Sequence, residues 1–199
     1  SRNTGEAPAD TYQAVFDEIE ITAEGDISST PTVLYRVNAG GTEVAATDGG
    51  PAWSGDTAGS NSPFLANAGS NNTYAGSGGA IDLSLLADSG DSAAVLSTER
   101  RDQSGGAEMQ WAFDVATGTA VEVKLYLAET FFNLPDLDGS GDATGDRIFD
   151  VSVDGTVPTA FNDLDPFALA NGAFNTGTVV SHSLVSDGTV DLAFLHGSQ

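Results

Sequence analysis

The chain has 199 residues, with 29 Asp plus Glu against 6 Lys plus Arg, a formal net charge of −23 and no cysteine. Self-repulsion and phosphate repulsion exclude nucleic acid and anionic membrane surfaces as partners. The lack of cysteine excludes a disulfide framework and any thiolate metal or nucleophile site. No apolar run approaches the about 18 residues that span a bilayer, so membrane insertion is not expected. An acidic chain whose one lysine is Lys124 reads as halophilic, because the Debye length falls to about 3 Å in molar salt. The alternative is an ordinary acidic secreted domain. Both readings place the protein outside the cell or at its surface.

In chain order, the first element is "AVFDEIEIT" (14–22), read as a single strand. Ile19 and Ile21 point one way and Glu18, Glu20 and Thr22 the other, the period-2 pattern of a half-buried strand. A turn-rich linker, "AEGDISSTPT", separates it from "VLYRVNAGG". Residues 42 to 92 are rich in Gly, Ser, Asn and Asp with short apolar islands, and read as long loops at one end of the fold. "MQWAFDV" and "AVEVKLYLA" (120–128) flank "TGT" and are expected to pair as a hairpin. "RIFDVSV" (147–153) and "TVDLAFL" (189–195) alternate in the same way. Asp154-Gly155 and Asp187-Gly188 supply the positive-φ residues that tight hairpins prefer. Helix signals are nearly absent, so the fold class is all-β, a sandwich.

"YRVNAGG" (35–41), "TDGGPAWSGDT" (47–57), "STERRD" (97–102), "EMQWAFDV" (108–115), "LYLAETFF" (125–132), "GDRIFDVSVDGT" (145–156), "DLDPF" (163–167) and "DLAFLHG" (191–197) occur in this order. Together they resemble the malectin-like domain family, including its bacterial and archaeal carbohydrate-binding relatives, over residues 33 to 199. A haloarchaeal or marine bacterial member would suit the charge. The resemblance implies a jelly-roll β-sandwich with a glycan cleft formed by loops at one end, and no catalytic activity. It also implies sugar contacts from aromatic side chains and one Asp. Sugar C–H faces are apolar and stack on rings, while carboxylates accept hydrogen bonds from hydroxyls. Tyr74 matches one family tyrosine, and Phe131 and Phe132 match the aromatic pair after "AE". Arg101 stands where a tyrosine is expected, and Gln199 stands near the ligand aspartate's place. The alternative for Phe131 and Phe132 is a core or rim role at a strand end.

"DLDGSGDATGD" (136–146) interrupts the family pattern. Asp136, Asp138, Ser140 and the following Gly141 have the spacing of the first half of an EF-hand loop, with oxygen ligands at positions 1, 3 and 5 and Gly at 6. Position 12 is Arg147 in place of Glu, so Asp142 and Asp146 would complete a looser Ca2+ site. The alternative is a solvated acidic hairpin tip. For an enzyme the signals are poor. His182 and His196 have no neighbouring nucleophile, no Gly-x-Ser-x-Gly elbow occurs, and chance alone brings carboxylate pairs together in so acidic a chain. Glu99 and Arg100 are expected to form an ion pair holding a strand. Asn71-Asn72-Thr73 is a glycosylation sequon.

Malectin-like domains continue after "FLHG" with a further strand resembling "NPxIxAIEI". The segment "QAVFDEIEIT" carries the same Ile-Glu-Ile, with Phe16 three positions before it. Residues 1–32 therefore read as an arm whose strand, with Val15, Phe16, Ile19 and Ile21 as its apolar face, fills the gap. Three routes are open: the strand folds back into its own sandwich, crosses to a neighbouring copy by β-strand addition, or ends a preceding domain. The linker of about ten residues spans up to about 33 Å and forbids neither of the first two. Exchange is the favoured route, and with it the function expected is a non-catalytic structural or adhesive subunit of a cell-surface assembly or filament, its copies joined head to tail by the strand 14–22. The rival is a monomeric carbohydrate-binding module that recognises a glycan.

Overall fold

The computed structural model describes residues 14–23, 31–76, 79–86, 93–102, 106–131 and 144–196. Its strands are β1 (Ala14–Phe16), β2 (Glu18–Ala23), β3 (Thr32–Ala39), β4 (Ser54–Asp56), β5 (Leu65–Asn67), β6 (Asn72–Ala75), β7 (Thr98–Asp102), β8 (Met109–Asp114), β9 (Ala120–Ala128), β10 (Phe149–Val153), β11 (Gly177–Val185) and β12 (Thr189–His196). A single helical turn, α1 (Pro166–Leu169), starts at Asp165, whose side chain accepts hydrogen bonds from the Phe167 and Ala168 N–H groups. The all-β sandwich expected from the sequence is what forms. A five-stranded sheet, ordered β11-β9-β2-β3-β4, faces a four-stranded sheet, β10-β12-β8-β5, and a small sheet β1-β7-β6 stands beside them.

The core between the layers follows the alternation. Ile19, Ile21, Val37, Val121, Val123 and Leu125 point in from one sheet, and Met109, Trp111, Phe113, Val151, Leu192 and Phe194 from the other. Phe16 joins them from β1, stacking on Phe194 at 4.2 Å and meeting Trp111 edge-on at 5.4 Å. Burying such side chains contributes about 1.5–3 kcal/mol each.

Residues 14–23 fold back into their own sandwich. β2 lies in the middle of its sheet, antiparallel to β9 on one side and to β3 on the other. Within the single chain, β2 fills the slot between β9 and β3, which is the first of the three routes. Two details differ from the sequence reading. The segment breaks at Asp17, so that β1 pairs with β7 in the small sheet while β2 enters the large one. The polar face of β2 is also buried, with Glu18, Glu20 and Thr22 all inside. Glu20 is held there by Arg36 at 2.7 Å and Lys124 at 3.2 Å.

Three other expectations are corrected. β8 and β9 are not a hairpin: β8 pairs with β12 and β5, β9 with β11 and β2. The residues between them cross from one layer to the other, and two of their N–H groups donate to the 186–188 turn, Val115 to the Gly188 carbonyl and Gly118 to the Ser186 carbonyl. Asp187-Gly188 likewise joins β11 to β12 in different sheets. Asp154 and Gly155 both take positive φ, 49° and 76°, as a tight turn requires, but the ladder beyond them is limited to the bridge Val153–Thr156. Finally, the stretch after residue 42 is more than loops at one end. Trp53, Val95 and Leu96 pack on Tyr126 and Ala128 and make a second, smaller core on the outer face of β9.

Candidate functional site

The small sheet carries the candidate site. β6 and β7 are antiparallel, with Tyr74 opposite Glu99 and Asn72 opposite Arg101. Directly opposed residues share a face and successive residues alternate, so Tyr74, Asn72, Glu99 and Arg101 stand on one side while Arg100 and Asp102 point to the other. Phe131 follows the end of β9, and its N–H is held by the Glu129 carboxylate at 2.8 Å. That anchor presents the Phe131 ring edge-on to Tyr74, with centroids 5.3 Å apart and planes at 87°. Phe131 stays 45% exposed although the two preceding residues, Glu129 and Thr130, are buried.

A buried charge cluster adjoins the aromatic pair. Arg147 lies 3.2 Å from Glu129 and 3.5 Å from Glu99. Asp17, at the break between β1 and β2, joins them and accepts the Ala128 N–H at 2.7 Å. Burial pushes Asp17 well above the ordinary carboxylate range, and the charges of Glu99 and Glu129 add to this against the Ala128 N–H and Arg147. Glu99 is raised for the same first reason, burial, with Arg147 opposing, Glu129 reinforcing and Arg101 opposing. Burial alone would lower Arg147, but the carboxylates of Glu129, Glu99 and Asp17 outweigh it and hold the guanidinium charged. Arg101 is half-buried, and its Nε has no hydrogen-bond partner among the described residues.

Next to the pair, Ala75, Gly76, Thr98, Thr130 and Asn175 line a cleft of about 220 Å³. A side chain on Gly76 would come within 2.9 Å of the Thr130 hydroxyl, so glycine keeps this cleft open. A second cleft of about 360 Å³ lies across β8, β12 and the 155 turn, lined by Gln110, Ser152 and Asp191; its one aromatic, Trp111, is buried. It offers hydrogen bonds but no exposed ring for stacking.

Of the residues expected at a glycan site, the structure brings Tyr74, Phe131 and Arg101 to one region. Phe132 and Gln199 lie outside the described residues. So do Asp136, Asp138, Ser140 and Asp142 of the expected Ca2+ loop, while Asp146 is described and is only 1% exposed. The expected Glu99–Arg100 pair does not form, because adjacent strand residues face opposite ways. Arg100 instead binds Asp56 through Nε at 2.5 Å and a second nitrogen at 3.0 Å, with both side chains fully buried. The Glu99–Arg147–Glu129 cluster was missed in the sequence, although "STER", "AE" and "GDR" each hold one member. Alternation along "TERR" was the signal that would have separated Glu99 from Arg100.

A family model for the malectin domain matches residues 33–197. Among solved structures, the fold resembles the ANXUR1 extracellular domain from Arabidopsis thaliana, at 16% identity and a TM-score of 0.62, covering 90% of this chain and 48% of that one. It also resembles the plant receptor-like kinase ANX1, at 16% identity and a TM-score of 0.65, covering 92% and 49%. The chain thus spans about half the length of either structure. No curated protein sequence matches it. Among the described residues, no helix is long and apolar enough to cross a membrane.

Proposed function

The chain belongs to the malectin domain family, a family of non-catalytic binding modules, and from that premise we propose that it is an extracellular carbohydrate-binding module. The observation that carries the reading is the Tyr74–Phe131 pair. It is held edge-to-face, with Phe131 nearly half exposed, beside a cleft and a row of hydrogen-bonding groups. An exposed ring anchored through its own backbone gives the apolar face of a sugar a preorganised surface. Arg101 and Asn72 on the same face are placed to donate to hydroxyl oxygens. The net charge of −23 disfavours polyanionic glycans, so the ligand class is a neutral oligosaccharide. The carboxylates beside the aromatic pair, Glu99 and Glu129, are engaged with Arg147, which suits a module that binds its ligand.

The experiment is glycan-array screening of the wild type followed by titration of the best neutral ligand against Phe131→Ala and Tyr74→Ala. Each variant is expected to weaken binding at least tenfold, and Phe131→Ala to leave the thermal midpoint nearly unchanged, since Phe131 is exposed. Equal affinity in all three proteins would overturn the assignment of this face.

A further inference from the structure

We infer a divalent transition-metal site, distinct from the acidic loop at 136–146, at Asp102 and His196, with Glu108 as the group that orients the histidine. Asp102 ends β7 and His196 ends β12, so the pair joins the small sheet to the four-stranded sheet at one end of the core. Asp102 is about 1% exposed. Its Oδ1 accepts the Ser70 N–H at 2.7 Å, while the buried Oδ2 has no hydrogen-bond partner among the described residues. Gly69 lets the chain close over this carboxyl: a Cβ there would lie 2.4 Å from the Asp102 carboxylate. The orphan Oδ2 is thus fixed in place and directed at His196 Nε2, 3.6 Å away.

The ring of His196 is fixed as well. Its Nδ1 lies 3.0 Å from Glu108 Oε2, and the same carboxylate accepts the His196 backbone N–H at 3.2 Å. In the neutral tautomer with its proton on Nδ1, the nitrogen beside the Glu108 carboxylate, the Nε2 lone pair faces the Asp102 Oδ2 lone pair. Two acceptors facing each other in a buried site repel unless a cation lies between them. A separation of 3.6 Å is too long for an N–H···O bond. It suits one ion held at about 2.0–2.2 Å by both an imidazole nitrogen and a carboxylate oxygen. A carboxylate on the far ring nitrogen is the usual outer support of a metal-binding histidine. One ligand atom from each of Asp102, Glu108 and His196 falls within 4.8 Å of the others. A mixed nitrogen and oxygen donor set selects zinc or a neighbouring transition ion over magnesium. Water completes the coordination. The bound ion clamps the end of β12 to β7, the strand that also carries Arg101.

The chain has two histidines, His182 and His196, which makes imidazole nitrogen NMR a direct readout. The probe is zinc chloride added to the full chain, with His196→Asn identifying the signal. The His196 resonances are expected to move and saturate near one equivalent of zinc while those of His182 stay put, and equal magnesium leaves both unmoved. Asp102→Asn, which keeps the Ser70 acceptor, is expected to weaken zinc binding at least tenfold, and Glu108→Gln to weaken it less. Near-UV circular dichroism without metal shows that each variant is folded. A His196 ring that titrates with pH as an imidazolium bridging both carboxylates and ignores zinc would overturn the site. So would a folded Asp102→Asn that binds zinc as tightly as the wild type.

Discussion

Asp17 brings a third carboxylate to a buried group that holds one guanidinium, that of Arg147, with Glu99 and Glu129 already beside it. Burial and like charge raise Asp17 and Glu99, so the folded protein binds their protons more tightly than the unfolded chain does. Their contribution to stability is present in full below the unfolded carboxylate range, about pH 4, and is lost as the pH rises through the folded values. Asp17→Asn keeps an acceptor for the Ala128 N–H and removes the extra charge. It is therefore expected to raise the thermal midpoint at pH 7, with the advantage shrinking towards pH 4. A variant less stable than wild type at pH 7 would show that Arg147 needs the third carboxylate. At Phe131 the logic is reversed: an exposed ring contributes little to folding, so its removal tests binding rather than stability.

At the scale of elements, β2 decides the architecture. It is buried on both faces and hydrogen-bonded on both edges, and β1 carries Phe16 into the main core. Phe16→Ala is expected to cost about 3–5 kcal/mol, the usual range for a fully buried phenylalanine, read from urea unfolding; a loss under 1 kcal/mol would contradict the packing described. Deleting residues 1–23 is expected to abolish cooperative unfolding, and adding a peptide of residues 14–23 to restore it. A truncated chain that unfolds as sharply as the intact one would contradict a central β2. Most strands were legible in the sequence because their inward residues alternate cleanly, as in Val121, Val123, Leu125 and Leu127. Which strands pair was less legible. The turns at 115–119 and 186–188 use the same small and positive-φ residues whether the chain reverses within a sheet or crosses between sheets. The second core was hidden because Trp53, Val95 and Leu96 come from separated islands with no period to read. For the candidate site, Tyr74, Phe131 and Arg101 could be named from motifs, whereas their charged neighbours required knowing which face of β7 each residue takes.

For the whole molecule, charge is the property that sets behaviour in solution. With a net charge of −23, raising sodium chloride from 0.05 to 1 M shortens the Debye length to about 3 Å and is expected to raise the thermal midpoint by several degrees. A midpoint that is flat or falls over that range would place the repulsion outside the folding balance and remove the basis for a halophilic reading. The same field favours uncharged ligands over anionic ones and fits a module that meets neutral sugars. The central claim is that such a sugar docks on the small sheet. It is tested most directly by amide chemical-shift mapping of the chain titrated with the neutral oligosaccharide selected on the array. The account predicts that the largest shifts fall at residues 72–76, 99–101 and 129–131. Shifts confined to the cleft around Gln110, Ser152 and Asp191, with the Tyr74–Phe131 face silent, would contradict it.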